Sequence, residues 1–238
     1  MKAIELIKII DDLIPKKLAL KNDKIGYLSS NINDVNVEKI KIVMDLYPDD
    51  DLNSNENELF ITHHYPLFMP KTPTYVIHSN WDIITGGAND ALAKALNLKI
   101  LDIFDKDTGI GRICKSQLKF KEFLNLVSKK LSINQINVVK PLNDDTILDK
   151  IAIVSGFGLS NIEYVKLAKE KNLKLILSGD LIHNVAMLGV DLDICLVDVN
   201  HHKSEIPGLI ELYNIISTIL ETELIIHDIP YKTINFKD

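Results

Sequence analysis

The stretch KIAIVSGFGLSNIEYVKLAKEKNLKLILSGDLIHNVAMLGVDLDICLVDV, residues 150–199, decides the fold. Three short runs rich in Ile, Leu and Val stand at 150–156, 174–179 and 193–199, and segments of helical periodicity at 161–171 and 181–189 separate them. Short strands alternating with helices of this length predict an α/β architecture with helices on both sheet faces. The strands are solidly apolar, as strands covered on both faces are. Further out, KIKIVMDLY (39–47), ELFITHH (58–64), KILDIF (99–104) and ELIIHDI (223–229) read as strands, and 1–14, 88–97, 116–131 and 206–220 as helices. The polar, glycine-bearing stretch 105–119 reads as a crossing between two units of similar element order.

A chain of 238 residues, 46% hydrophobic and 25% charged, buries a real core and reads as globular throughout. Net charge −6 excludes a protein that is basic overall, but not a local basic patch. Arg112 is the single arginine, so positive charge is almost all lysine and the two-point grip on phosphates is nearly absent. Cys114 and Cys195 share no metal or redox spacing, which predicts a reducing, cytoplasmic interior. Segment 1–14, with Ile4, Ile7, Ile10 and Leu13 between charges, predicts an amphipathic helix packed on the core and not a signal peptide. No apolar run reaches membrane-spanning length.

Candidate ligands cluster at the ends of predicted strands, where open α/β sheets form their sites. His63 and His64 close ELFIT; neighbours on a strand point to opposite sides, so the pair suits two ions better than one. His78 and Asp82 lie in HSNWD (78–82), just before a helix. DICLVDV runs into NHHKSEIPG, which offers His201, His202 and Glu205. Singly, such residues are usually strand ends, helix caps or surface pairs; at three successive strand ends they make a site. Imidazole with carboxylate suits Zn, Fe, Mn, Ni or Co, and the lack of cysteine ligands argues against structural zinc. The remaining coordination positions fall to water or substrate, as metal hydrolysis requires. VSGFG (154–158) reads as an anion-binding turn or, more simply, as a strand–helix turn needing positive φ. Asp180 and His183, beyond the strand ending in SGD, read as a helix cap and a surface residue or as neighbours of the site; His227 reads as structural.

Taken in order, ITHHYPLF, HSNWD with GGAND, GIGR, VSGFG, SGD-x-x-H and HHKSE-x-x-G resemble the GTP cyclohydrolase 1 type 2 homologue (Nif-three-like) family over nearly the whole chain. The resemblance implies two intertwined three-layer α/β/α units with mixed sheets: 1–105 with about 206–238, and 106–205. It places a site for two divalent metal ions at their interface and implies a ring-shaped homohexamer. The implied ligands are His63, His64, Asp82, His201 and Glu205, with Glu205 bridging; His78, Asp180, His183 and Arg112 would stand behind them or touch substrate. Here Asn200 replaces the family's usual glycine, SGD replaces Thr-Gly-Glu, and the inserted third domain of longer relatives has no room. The implied activity is metal-dependent hydrolysis of a nucleotide or related small molecule. The alternatives are a ring that binds single- or double-stranded DNA without sequence choice, and a metal-binding scaffold without turnover. For DNA, Lys115, Lys119, Lys121, Lys129 and Lys130 would serve, with Lys16, Lys17, Lys21 and Lys24 behind the first helix.

Overall fold

The computed structural model describes residues 1–28 and 35–231. Along the chain run α1 Ala3–Leu13, β1 Gly26–Tyr27, β2 Lys39–Val43, α2 Pro48–Leu52, β3 Glu58–Thr62, β4 Thr74–Val76, α3 Ser79–Ile83, α4 Ala88–Ala95 and β5 Lys99–Ile103. There follow β6 Arg112–Lys115, α5 Phe120–Leu131, β7 Asn137–Val139, β8 Lys150–Ile153, α6 Ile162–Glu170, β9 Leu175–Ser178, α7 His183–Leu192, β10 Cys195–Asp198, α8 His201–Ile216 and β11 Thr222–Ile225. The strands form two mixed sheets, ordered β1-β4-β3-β2-β11 and β5-β6-β8-β9-β10-β7. In the first, β11, β2, β3 and β4 are parallel and β1 is antiparallel. In the second, β8, β9 and β10 are parallel, flanked by the antiparallel β6 with β5 and by β7. The fold is the mixed α/β class that the alternation of strands and helices implies.

Alternation along the second sheet's strands shows why they are apolar without interruption. Ile151, Ile153, Leu175, Leu177, Cys195 and Val197 enter one core with α5. Their neighbours Ala152, Val154, Ile176 and Leu196 enter the opposite core with α6. Each strand therefore carries two buried faces. In the first sheet Ile40, Ile42, Leu59 and Ile61 pack under α1 and α8. Its other face carries, among the described residues, the small cluster of Val43, Leu46 and Phe60 with Phe68 and Ile225 packed against it.

Four expectations are corrected. Helix α1 buries Ala3, Leu6, Ile7 and Ile10, while Ile4 and Leu13 are 47% and 45% exposed. The helix is apolar over more than one face, and the arc holding small Ala3 is the one that approaches the sheet. Strand β5, within the segment 1–105 assigned to the first unit, is hydrogen-bonded to β6 in the second sheet. The stretch 105–119 holds β6 itself, a strand whose Arg112 and Lys115 masked it in the sequence. Finally, α8 begins at His201 and not at 206, and Pro207 lies inside the helix. The Pro-Gly pair at 207–208 imitates a helix start.

Buried Asp51 ties α2 to the approach of β4, accepting the N–H groups of Lys71 at 2.9 Å and Thr72 at 2.8 Å. Burial alone would raise its pKa, but these N–H groups hold it below the usual carboxylate value. A lowered folded pKa stabilises the protein above the unfolded value, near 3.9, and that contribution is lost as pH falls through the folded value. Asp51→Asn is expected to cost about 1.5–3 kcal/mol near pH 7, the range for hydrogen bonds to a charged group. The gap to wild type should close toward strongly acid pH when urea unfolding is measured across the range.

Candidate metal centre

Strand β3 delivers the first two imidazoles. Beyond its end, the His63 and His64 N–H groups still bond to Val43 O and Met44 O at 3.1 and 2.9 Å, so both positions are fixed by the sheet. His63 is buried and donates from Nδ1 to Ile77 O at 3.0 Å. His64 donates from Nδ1 to Asp45, just past the adjacent β2, at 2.8 Å. Short helix α3 carries buried Asp82. Helix α8 places His201 and Glu205 four residues apart on one face. Asn200 caps it at φ 73° and ψ 140°, outside the left-handed helical region that asparagine tolerates, so the backbone here is one that glycine would adopt with less strain; its side chain accepts from the Lys203 N–H.

These side chains meet around Glu205. Its Oε1 lies 3.1 Å from His201 Nε2 and 3.5 Å from His63 Nε2, and its Oε2 lies 3.2 Å from His64 Nε2. Asp82 Oδ1 stands 3.8 Å from His63 Nε2. His201 Nδ1 donates to Asp180 at 2.6 Å, and the Nε2 atoms of His201 and His64 face each other at 3.2 Å. With each Nδ1 proton committed to an acceptor, neutral rings would aim three Nε2 lone pairs at carboxylates that are themselves acceptors. Something positive belongs between them, either protons or metal ions. His63 Nε2, Asp82 Oδ1 and Glu205 Oε2 are buried without a hydrogen-bond partner, which is what a metal ligand looks like when read as an ordinary polar atom. Two groups of three have ligand atoms within 4.8 Å of one another: His64, His201 and Glu205, and His63, His64 and His78. The donor set fits a divalent transition metal or zinc.

Electrostatics report the same crowding. Burial opposes charge on His64 and His201, yet Asp45 and Asp180 respectively, each joined by Glu205, push them up to about 10. Burial also opposes charge on Glu205, but His63, His201 and His64 hold it well below the usual range. Asp82, buried and close to Glu205, is raised to about 7 despite His63. A bound cation would release these protons and leave the carboxylates ionised.

The other candidates distribute differently. His78 joins the ring cluster, 5.1 Å from His63 and 5.7 Å from His64 between centroids, with its Nδ1 held by Asp23 at 2.9 Å. Asp180 stands behind His201. His183, at the exposed start of α7, is not brought into the cluster. Nor is His202, so His201 is the member of its pair that faces Glu205. His227 pairs with Asp50 at 3.0 Å. Arg112 corrects its expected role: it is 3% exposed, paired with Asp90, and its NH1 and NH2 groups donate to the carbonyls of Gly109, Gly111 and Ile83. It clamps the chain around β6 and is shielded from solvent. Among the lysines, Lys119 and Lys121 face Asp145 and Asp144 at 2.7 and 3.3 Å, which weakens the field their patch could offer.

Sequence reasoning missed Asp45 and Asp23. Asp45 sits at the end of KIVMD, beside the strand end that carries His64, and that adjacency was the available signal. Asp23 lies in a loop with no pattern to mark it. The glycine turns acquire a concrete purpose. Gly156 has φ +74°, and a Cβ there would lie 2.2 Å from Glu205 Oε1. A Cβ on Gly179 would lie 2.3 Å from the His201 nitrogen. Both turns are bare so that the start of α8 can seat against them.

Such an assembly defines a class: a mixed α/β protein that gathers histidines and carboxylates from the ends of two sheets into a group able to hold metal. The chain belongs to the Duf34/NIF3 (NGG1p interacting factor 3) family, whose model matches residues 70–233. It is 36% identical over 223 residues to the GTP cyclohydrolase 1 type 2 homolog of Methanothermobacter thermautotrophicus, covering 91% of this chain and 92% of that one. The Methanocaldococcus jannaschii protein of the same name is 32% identical, with 94% and 98% covered. Among solved structures, reduced HcgD from Methanocaldococcus jannaschii superposes with TM-score 0.80 at 30% identity, over 96% of this chain and 98% of that one. A hypothetical protein of Staphylococcus aureus, 21% identical with TM-score 0.81 over 98% and 99%, shares the fold. Among the described residues no helix is long and apolar enough to cross a membrane.

Proposed function

We propose that His63, His64, Asp82, His201 and Glu205 hold two divalent metal ions and that the protein is a metal-dependent hydrolase of a small molecule. The observation that carries this is the convergence of three Nε2 atoms on Glu205, whose two oxygens face different histidines. Bound metal would supply Lewis acidity and lower the pKa of water. The chain's own groups do the rest. Asp45, Asp180 and Ile77 O fix the tautomers and orientations of the three ligating rings. Buried Asp82 and Glu205 keep bulk water from their side of the cluster. His78, its ring steadied by Asp23, stands where a group presented beside His63 and His64 would meet it.

The test is elemental analysis of the purified protein, followed by turnover on nucleotides and phosphoesters with and without a chelator. GTP comes first in that panel, since relatives carry its name. Metal-loaded protein that turns over nothing would leave a metal-binding scaffold; protein that takes up no metal would end the reading altogether.

For assembly into a ring, β5 is the edge we propose as a contact between copies. It lies at the edge of its sheet with all five residues exposed, among them Ile100, Leu101 and Ile103. Unblocked apolar edges pair with other chains. Leu101→Lys is expected to lower the molecular mass measured by sedimentation without altering the circular dichroism spectrum; an unchanged mass rejects this edge.

A further inference from the structure

Two cavities flank the His64–His201 face of the cluster, and their linings bear on what the centre takes. One, of about 430 Å³, is walled by Tyr47, Tyr65, Pro66 and Phe68, with Asp45 and His64 among its lining residues. The other, of about 520 Å³, reaches His201 and is lined by Asn134, Gln135, Asn137, Asp180 and Asp198. Both are of the size that holds small ligands. The residues 229–231 lie between them, Pro230 lining the first cavity and Ile229 and Tyr231 the second.

Charge decides the ligand class. Among the described residues Lys203 is the one lysine or arginine in the two linings, Lys24 is held over the Tyr65 ring at 5.1 Å from its centroid, and Arg112 is spent on Asp90 and backbone carbonyls. If two divalent ions are bound, the carboxylates of Asp82, Glu205, Asp45 and Asp180 cancel their charge. A polyphosphate entering here would meet little net attraction and would face Asp198 as well. The aromatic cavity has the opposite preference. Its Tyr and Phe rings and its prolines suit a flat ring. Asp45, half-exposed, uses Oδ1 on His64, and as a lining residue of this cavity it can accept from a ring N–H through Oδ2.

We infer that the centre takes an uncharged heteroaromatic molecule with N–H donors, of nucleobase or nucleoside size, and discriminates against polyphosphates. The ring lies in the Tyr47–Phe68 cavity, and hydroxyl or amide substituents reach the amide-lined cavity beside His201. This rests on the metal-centre reading above.

The experiment is calorimetry on the full-length, metal-loaded protein with guanosine and GTP, which share a ring and differ in charge, at low and high salt. Guanosine should bind at least as tightly as GTP, with little salt dependence. Tyr47→Ala should weaken guanosine roughly tenfold, the scale of one lost base–aromatic stacking contact, with metal content unchanged. GTP binding tenfold tighter than guanosine and weakening with salt would overturn the inference, as would metal-loaded wild type that binds no guanosine. Those outcomes leave the metal centre standing. Failure to take up metal removes both readings. The wild-type comparison needs no variant, so a Tyr47→Ala protein that fails to fold does not shelter the inference.

Discussion

Glu205→Gln is expected to abolish tight metal uptake and, with it, any metal-dependent turnover, while the protein stays folded. The substitution keeps shape and volume, so the packing of α8 survives. It removes the one negative group whose two oxygens face His63, His64 and His201 together. Changes merely behind a metal's ligands cost about 10–100-fold in affinity, so loss of a shared carboxylate ligand should exceed that. Thermal unfolding with and without added metal gives the readout. A ligand at one hundred times its dissociation constant adds about 2.7 kcal/mol of stability, and Glu205→Gln should lose that increment. Glu205→Gln protein that keeps full metal content would show that Glu205 is not a ligand.

The same centre predicts a pH signature. Without metal, His64 and His201 titrate near 10 instead of 6.5. A raised folded pKa stabilises the protein fully below 6.5 and progressively less as pH rises to about 10. Metal must displace those protons, so its affinity moves the other way. The stabilisation produced by a fixed metal concentration should therefore grow from pH 6.5 upward, until metal hydroxide formation limits the measurement. Pairing unfolding curves with and without metal at each pH separates the two trends.

Much of this was legible because the strongest signals were local. Runs such as IAIV (151–154) and LIL (175–177) are apolar on every residue, and helices between them supply the cover that such strands need. The candidate ligands stood at or just after strand ends, where adjacency alone made His63 and His64 a pair aimed at two places. What the sequence concealed depends on long-range partners. Two-residue β1 and three-residue β4 and β7 are too short to show a period of two, and exist because β3, β4 and β10 offer them hydrogen-bonding edges. Asp45 and Asp23 acquire their meaning only when β2 and the loop after α1 are laid beside His64 and His78. Arg112 misled for the same reason: a lone arginine suggests a ligand grip, but its carboxylate and carbonyl partners lie in the chain itself.

Gly156→Ala separates the geometry of the centre from the general cost of a turn. Position 156 holds φ +74°, so any side chain there pays left-handed strain of about 1–2 kcal/mol. Beyond that, the new methyl would lie 2.2 Å from Glu205 Oε1 and 3.3 Å from His201 Nε2, closer than the carboxylate can tolerate without moving. Glu205 cannot simply turn away, because it is buried among His63, His64 and His201. Gly86 supplies the control: it has φ +83° and nothing within 4 Å of a built Cβ. Gly86→Ala should therefore lose stability by the strain alone and keep its metal. Gly156→Ala should lose metal affinity by well over tenfold, since a steric shift of one ligand acts on every ion that Glu205 contacts. Elemental analysis after dialysis against limiting metal compares the two directly. Equal metal content in both variants would mean that Glu205 moves freely, and that the tight seat of α8 against the 154–158 turn does not set the geometry of the centre.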